Sequence, residues 1–151
     1  MRAAMMLAAL ALLLAVSGGP AIARPHPAPA ATPAPLPPED PAISKIAFGQ
    51  FLAWQIGKVD RSRYTDAVDA LMTPDTIAAA AQDLVSLGAL QRVVWKGPSV
   101  AQGVPAGSKT YLYQVICSDG QVYMQFSIGP NGKLASMVFR KTLLEIGTPS
   151  D

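Results

Sequence analysis

Apolar positions along this chain follow three successive regimes: continuous, then helical, then alternating. Ala3 to Val16 is an unbroken apolar run. After a Pro/Ala stretch the spacing turns helical. Ile43, Ala47, Phe51 and Trp54 recur every three or four residues, which sets them on one face of a helix predicted over Ile43 to Ile56. Phe48, Leu52 and Ile56 form a second apolar stripe, and a helix apolar on two sides is expected to be buried on both, inside a concavity or at a subunit contact. Gly57 ends it. Asp60-Arg61-Ser62-Arg63 is a polar link with two N-cap residues, Asp60 and Ser62. Tyr64, Ala67, Val68, Leu71 and Met72 then fit a short helix, with Asp66 favourably placed for its dipole. The third helix is the best punctuated: Thr73 as N-cap, Pro74 at its first position, Asp75 in its first turn and Gly88 beyond its end. Ile77, Ala80, Ala81, Leu84 and Leu87 line its apolar face.

From Leu90 the period changes to two. Leu90 to Lys96 is a strand with Val93 and Trp95 on one side, and Gly97 to Ser108 is a Gly/Pro-rich loop. Thr110 to Ser118 is the clearest strand, with Tyr111, Tyr113, Val115 and Cys117 on one side. Asp119-Gly120 is a tight-turn pair leading into Gln121 to Ile128, where Val122, Met124, Phe126 and Ile128 alternate against polar positions. Asn131-Gly132 makes a second turn, and Leu134 to Arg140 is the last strong strand, which Lys141 to Asp151 could prolong. Helices first and an antiparallel meander after them predict an α+β fold, with the N-terminal helices packed on a curved four-stranded antiparallel sheet.

The continuous segment changes the meaning of the composition. Arg2, the apolar run, Pro20 and then Ala21-Ile22-Ala23 have the order of a secretory signal peptide over residues 1–23, cleaved near Ala23. The run is short for a membrane helix, which needs roughly 20 apolar residues, so no stable membrane span is expected after cleavage. Residues 24–41 alternate Pro with Ala and read as a disordered linker, leaving 42–151 as a single domain. The expected location is the periplasm or the medium. Half of the 151 residues are apolar, but the leader and linker inflate that figure. The domain itself carries ten Lys and Arg against eight Asp and Glu, about +2, without a basic cluster, so nucleic acid is not an expected partner. Arg140-Lys141 at a strand end reads as a solvated edge charge.

Candidate chemistry is limited by what is missing. Cys117 is the only cysteine, so no intramolecular disulfide forms, and a buried strand position accounts for it. The only histidine, His26, lies in the linker, which removes His-based triads and His or paired-Cys zinc sites from the domain. Met72, Met124 and Met137 could supply soft ligands, yet their separation along the chain suits core packing better. No phosphate-binding glycine loop is present. No metal and no cofactor are expected. Trp95, Tyr111 and Tyr123 are ordinary cross-strand residues, unless Val93/Trp95 and Tyr111/Tyr113 lie on different faces, in which case one pair is exposed or buried by a partner.

Phe51-x-x-Trp54-x-x-Gly57, Asp60-Arg61-Ser62-x-Tyr64, Leu87-Gly88, and the meander with turns at Asp119-Gly120 and Asn131-Gly132-Lys133 together resemble the nuclear transport factor 2-like (cystatin-like) superfamily. More narrowly, they are similar to its small exported bacterial domains, which also occur beside β-lactamase-related serine hydrolases. The resemblance implies a sheet wrapped around a long helix as a cone whose interior often holds a ligand. Trp54, Tyr113, Met124 and Phe126 would then be pocket residues, and a homodimer through the outer sheet face would follow by analogy. Enzymes of the group place Asp, Tyr, His or Arg inside the cone; no strand here carries an inward carboxylate. The expected function is therefore an exported non-catalytic binding or assembly module for a protein partner, a cell-wall component or a small apolar ligand. The alternative is a small cone-fold isomerase or hydrolase using Asp60 or Asp69 with Tyr64 as an acid-base pair, although capping already explains Asp60, and solvated helix positions Asp69.

Overall fold

The computed structural model describes residues 35–143; the expected signal peptide, most of the expected linker and residues 144–151 lie outside the described residues. The chain begins with helix α1 (Pro41–Gln55), passes through a 3-10 turn (Arg61–Arg63), and continues into a single-turn helix α2 (Asp66–Asp69) and helix α3 (Pro74–Val85). Four strands follow: β1 (Leu90–Ser99), β2 (Lys109–Cys117), β3 (Gln121–Ile128) and β4 (Leu134–Arg140). They form one antiparallel sheet in the order β1-β2-β3-β4, so β1 and β4 are its edges. The class is α+β, as the pattern predicts.

Local chemistry explains most boundaries. Asp40 caps α1 by accepting the Ala42 N–H at 2.9 Å, and Pro41 occupies the first turn, where a missing N–H costs nothing. The helix thus starts two residues before the expected Ile43, because the Pro-rich run supplies its own cap. Leu36 and Pro37, assigned to the linker, touch the sheet: the Trp95 indole donates to the Pro37 carbonyl at 3.1 Å, and Leu36 lies over Gly97. Gly97 adopts φ +118° at the bulge that carries β1 three residues past its expected end. Pro98 is tolerated there because β1 is an edge. Thr73 caps α3 through the Thr76 N–H at 3.2 Å.

Of the two hairpin turns, the first is shifted from its expected position. The β2–β3 link closes with the Cys117 N–H donating to the Gly120 carbonyl at 2.9 Å, so Ser118 and Asp119 form its centre rather than Asp119 and Gly120. Gly120 keeps an ordinary φ and leaves room for Leu87, whose Cδ2 would lie 3.0 Å from any added Cβ. In the β3–β4 link Gly132 does sit at φ +76°, following Pro130-Asn131, and Asn131 Oδ1 accepts the Lys133 N–H at 3.1 Å.

Register decides the core. Trp95 faces Tyr113, Val93 faces Val115, Tyr111 faces Phe126 and Met124 faces Phe139, so all these residues share the face that receives α1. The two aromatic pairs therefore lie together, and Trp95 and Tyr113 rings sit 5.1 Å apart, Tyr111 and Phe126 5.5 Å. From α1, Ala47, Phe51 and Trp54 are buried against this layer. The second stripe of α1 is not: Phe48 is 46 % and Ile56 62 % exposed. Among the described residues α1 has the sheet below it and α3 beside it and nothing over Phe48 and Ile56, so this stripe is not enclosed within the fold, and a subunit contact is the expected alternative that would cover it.

The outer face carries a buried polar ladder that alternation alone does not announce. Ser127 shares hydrogen bonds with Thr110 at 2.7 Å and with Ser136 at 2.8 Å, across three strands. Gln125 donates to Ser99 at 2.7 Å and to the Val100 carbonyl at 3.1 Å, which ties the β1–β2 loop across that face.

Truncating Phe51 to Ala should destabilise the domain by about 3–5 kcal/mol through the cavity it leaves. Phe48→Ala should change stability by about 0.5 kcal/mol or less. Equilibrium denaturation with guanidinium separates the two, and equal losses would mean that the second stripe is covered after all.

Candidate functional site

The site is built where α1 meets the β4 edge. On the buried face of α1, Gln50 is a polar residue among Ala47, Phe51 and Trp54, only 3 % exposed. Its side-chain oxygen accepts from the Tyr64 hydroxyl, and that hydroxyl in turn accepts the Trp54 indole N–H at 2.7 Å. All three groups are thereby satisfied, as buried polar groups must be. Burial pushes the Tyr64 phenol up to about 12, and the bond from Trp54 only partly offsets it. Tyr64 does not belong to a helix, contrary to the expected helix over Tyr64 to Met72. It is extended and forms a parallel bridge with Leu134, while the Thr65 N–H donates to the Leu134 carbonyl at 2.9 Å. Anchoring of the ring overrides the helical spacing, and α2 is confined to Asp66–Asp69.

The carboxylates of the alternative acid-base arrangement lie elsewhere. Asp60 accepts from the Ser62 N–H at 3.1 Å and the Ser62 hydroxyl at 2.6 Å, and these bonds hold its carboxyl below its ordinary value. Asp69 pairs with Arg61, whose guanidinium also donates to the Asp69 carbonyl. The partners of the Tyr64 hydroxyl are Trp54 and Gln50, not a carboxylate. The structure brings Tyr64 to Trp54 and leaves Asp60 on the exposed turn and Asp69 at the end of α2, half-exposed.

Of the four expected pocket residues, Tyr113, Met124 and Phe126 are fully buried. Tyr113 and Phe126 stack at 6.0 Å, and the Tyr113 hydroxyl meets the Ser44 hydroxyl at 3.2 Å, so side chains fill the space between α1 and the central strands. Burial raises the Tyr113 phenol and likewise the Cys117 thiol, which suits a packed, unreactive role. Trp54 is different. It packs edge-on against Phe139 at 6.0 Å and against Tyr64 at 6.4 Å, and it also lines two clefts along β4.

One cleft of about 340 Å³ lies between Trp54, Thr76 and Leu84 on the helix side and Met137 to Arg140 on the strand side. A second, also about 340 Å³, continues it past Met72, Val68 and Leu71 along Ala135 to Val138. A third, about 220 Å³, extends the other end past Leu87 to Phe139, Arg140 and Lys141. Neighbouring clefts share residues, so they form one groove. Side chains of both parities from β4 line it, which places its Trp54 section along the strand's edge, while Gln121 and Val122 of β3 also line its Leu87 end. It stays open because α3 packs on α1 and stands off β4. Its β4 wall, Met137 and Phe139, is half-buried, whereas Met124 and Phe126 beside them are inaccessible.

The groove is apolar at its Met72 end. At the other it carries Asp83, Arg140 and Lys141. Among the described residues no group of three or more His, Cys, Asp or Glu side chains could hold a metal ion, and no helix is long and apolar enough to cross a membrane. Gln50 was detectable in principle as a polar residue within an apolar helical face. Thr76 and Met137 carry no such signal, because a groove at a strand edge depends on strand order. No protein-family model, curated protein or solved structure matches the chain.

The buried phenol predicts a pH dependence. Its folded value lies above its unfolded value of about 10, so its stabilising contribution is complete below that pH and is lost as pH rises toward about 12. Denaturation midpoints of the native chain should fall across this window more steeply than those of Tyr64→Phe. At neutral pH, Tyr64→Phe should cost about 1–3 kcal/mol by orphaning Trp54 and Gln50. Parallel pH profiles would show that the Tyr64 hydroxyl is not held as described.

Proposed function

We propose that this chain is an exported, non-catalytic binding module whose binding site is the groove along β4. The observation that carries this reading is the contrast between a filled centre and an open, apolar edge lined by Trp54, Met137 and Phe139. A site formed from large apolar side chains, with a few charges at one end, recognises shape and apolar surface. The acid-base alternative would need Asp60 or Asp69 free beside Tyr64. Asp60 is engaged by Ser62 and Asp69 by Arg61, which supports binding over the acid-base alternative. The helix-then-meander order supports a nuclear transport factor 2-like architecture with its cavity displaced from the cone interior to the sheet edge. Export rests on the N-terminal pattern of Arg2, apolar run and Ala21-Ile22-Ala23.

A protein partner is favoured over a small apolar ligand because the groove is long and open rather than enclosed. The outer sheet face is the less suitable surface for a second copy, since the β1–β2 loop is tied across it by Gln125.

Native mass spectrometry of the protein from the exported fraction of its own host tests this reading. Thr76 is exposed at the waist of the groove, where two clefts share it. The native chain should carry a partner that Thr76→Trp loses while remaining folded. A bare monomer in both cases, or a partner retained by Thr76→Trp, would overturn the assignment of the groove.

A further inference from the structure

We infer that the groove takes an extended peptide of a partner protein as a fifth strand, running parallel to β4 with its terminal carboxylate at Arg140 and Lys141. This rests on the groove being the binding site, and adds the chemical class and direction of the occupant. Among the described residues β4 is an edge whose length beyond Leu134 pairs with no other strand, and such an edge within a groove is a template for strand addition. The chain itself makes the first step of that pairing. Tyr64 bridges Leu134 in parallel, and the Thr65 N–H takes the Leu134 carbonyl, before α2 turns away. Beyond this point, from Ala135 to Arg140, the groove follows the strand for about 20 Å at roughly 3.3 Å per residue, the span of six extended residues.

Direction brings the peptide's terminus to two cations, Arg140 and Lys141, against one carboxylate, Asp83. A peptide continuing the parallel sense set by Tyr64 enters beside Leu71 and Met72, where the lining is apolar, and finishes beside Arg140 and Lys141. Among the described residues the one ion pair joins Arg61 to Asp69, which leaves Arg140 without a carboxylate partner at that end. Asp83 also lines it and can accept from a peptide hydroxyl or amide. Alternate side chains of an added strand would point to the inner side, over Trp54, Met137 and Phe139, and to the outer side, beside Val138. That arrangement selects apolar residues at every second position.

The test uses the exported chain, isotope-labelled, and two synthetic peptides of alternating Val and Thr, one ending in a free carboxylate and one in a carboxamide. The acid should shift and protect the backbone amides of Ala135 to Arg140, and bind on the order of tenfold more tightly than the amide. Arg140→Gln should remove that preference without affecting the fold, and Thr76→Trp should abolish binding of both. No shifts at about millimolar peptide, shifts confined to the β1 edge, or equal affinity for acid and amide would overturn the inference. Contacts between residues 144–151 and β4 in the free protein, with no peptide binding, would make the occupant the chain's own tail and also overturn it. If Thr76→Trp releases the native partner yet neither peptide binds, the groove stands as the site and strand addition falls.

Discussion

A single buried hydroxyl holds the architecture together at the point where helix and sheet edge meet. Tyr64 accepts from Trp54 and donates to Gln50, both on α1, while its backbone is tied to the first residue of β4. Three parts of the chain distant in sequence are therefore fixed by one side chain whose polar atom cannot go to water. An unmade hydrogen bond here would leave buried groups unsatisfied, at about 1–3 kcal/mol, so the arrangement tolerates few alternatives. Trp54 is thereby oriented edge-on to Phe139, and its other side is left facing the groove. The same contact sends the chain away from β4 at Thr65, so among the described residues no strand pairs with the rest of that edge.

Helices, strands and caps were legible because their causes are local. Thr73-Pro74 starts α3 where its side chain and missing N–H require, and the alternation of Tyr113, Val115, Val122, Met124 and Phe126 marks the inner face correctly. Local signals failed where a distant group intervened. Tyr64 has helical spacing to Val68 and Leu71 yet is extended, because its ring is claimed by Trp54 and Gln50. Phe48 and Ile56 have the spacing of a buried stripe, but burial depends on how many layers the fold supplies. Asp119-Gly120 has the composition of a two-residue turn, and the approach of Leu87 and the Cys117–Gly120 bond shift its centre by one residue.

The candidate site was less legible than the fold, for a physical reason. Residues expected to line a central cavity were chosen for being large, aromatic and inward, and those are the properties that fill a core. Tyr113, Met124 and Phe126 pack to the point of exclusion, and Trp54 alone reaches open space. The groove depends on β4 being last in strand order and on α3 leaning toward α1. Neither follows from the spacing of residues along β4 itself.

Edge position turns an ordinary strand into a surface with direction. A face presents side chains and can accept a partner in many orientations; an edge presents an ordered row of N–H and C=O groups that fixes register as well. Along β4 this row is bordered by α2 and α3 and, at the Met72 end, by Gly103 of the β1–β2 loop. Charge marks its other end: Arg140 and Lys141 follow the apolar stretch, at the end that a parallel strand reaches last. Exposed edges ordinarily invite aggregation and are blunted by charge or cover. Here cover comes from Tyr64 at one end and charge from Arg140 at the other. The unprotected length between them is the part lined by Trp54, Met137 and Phe139.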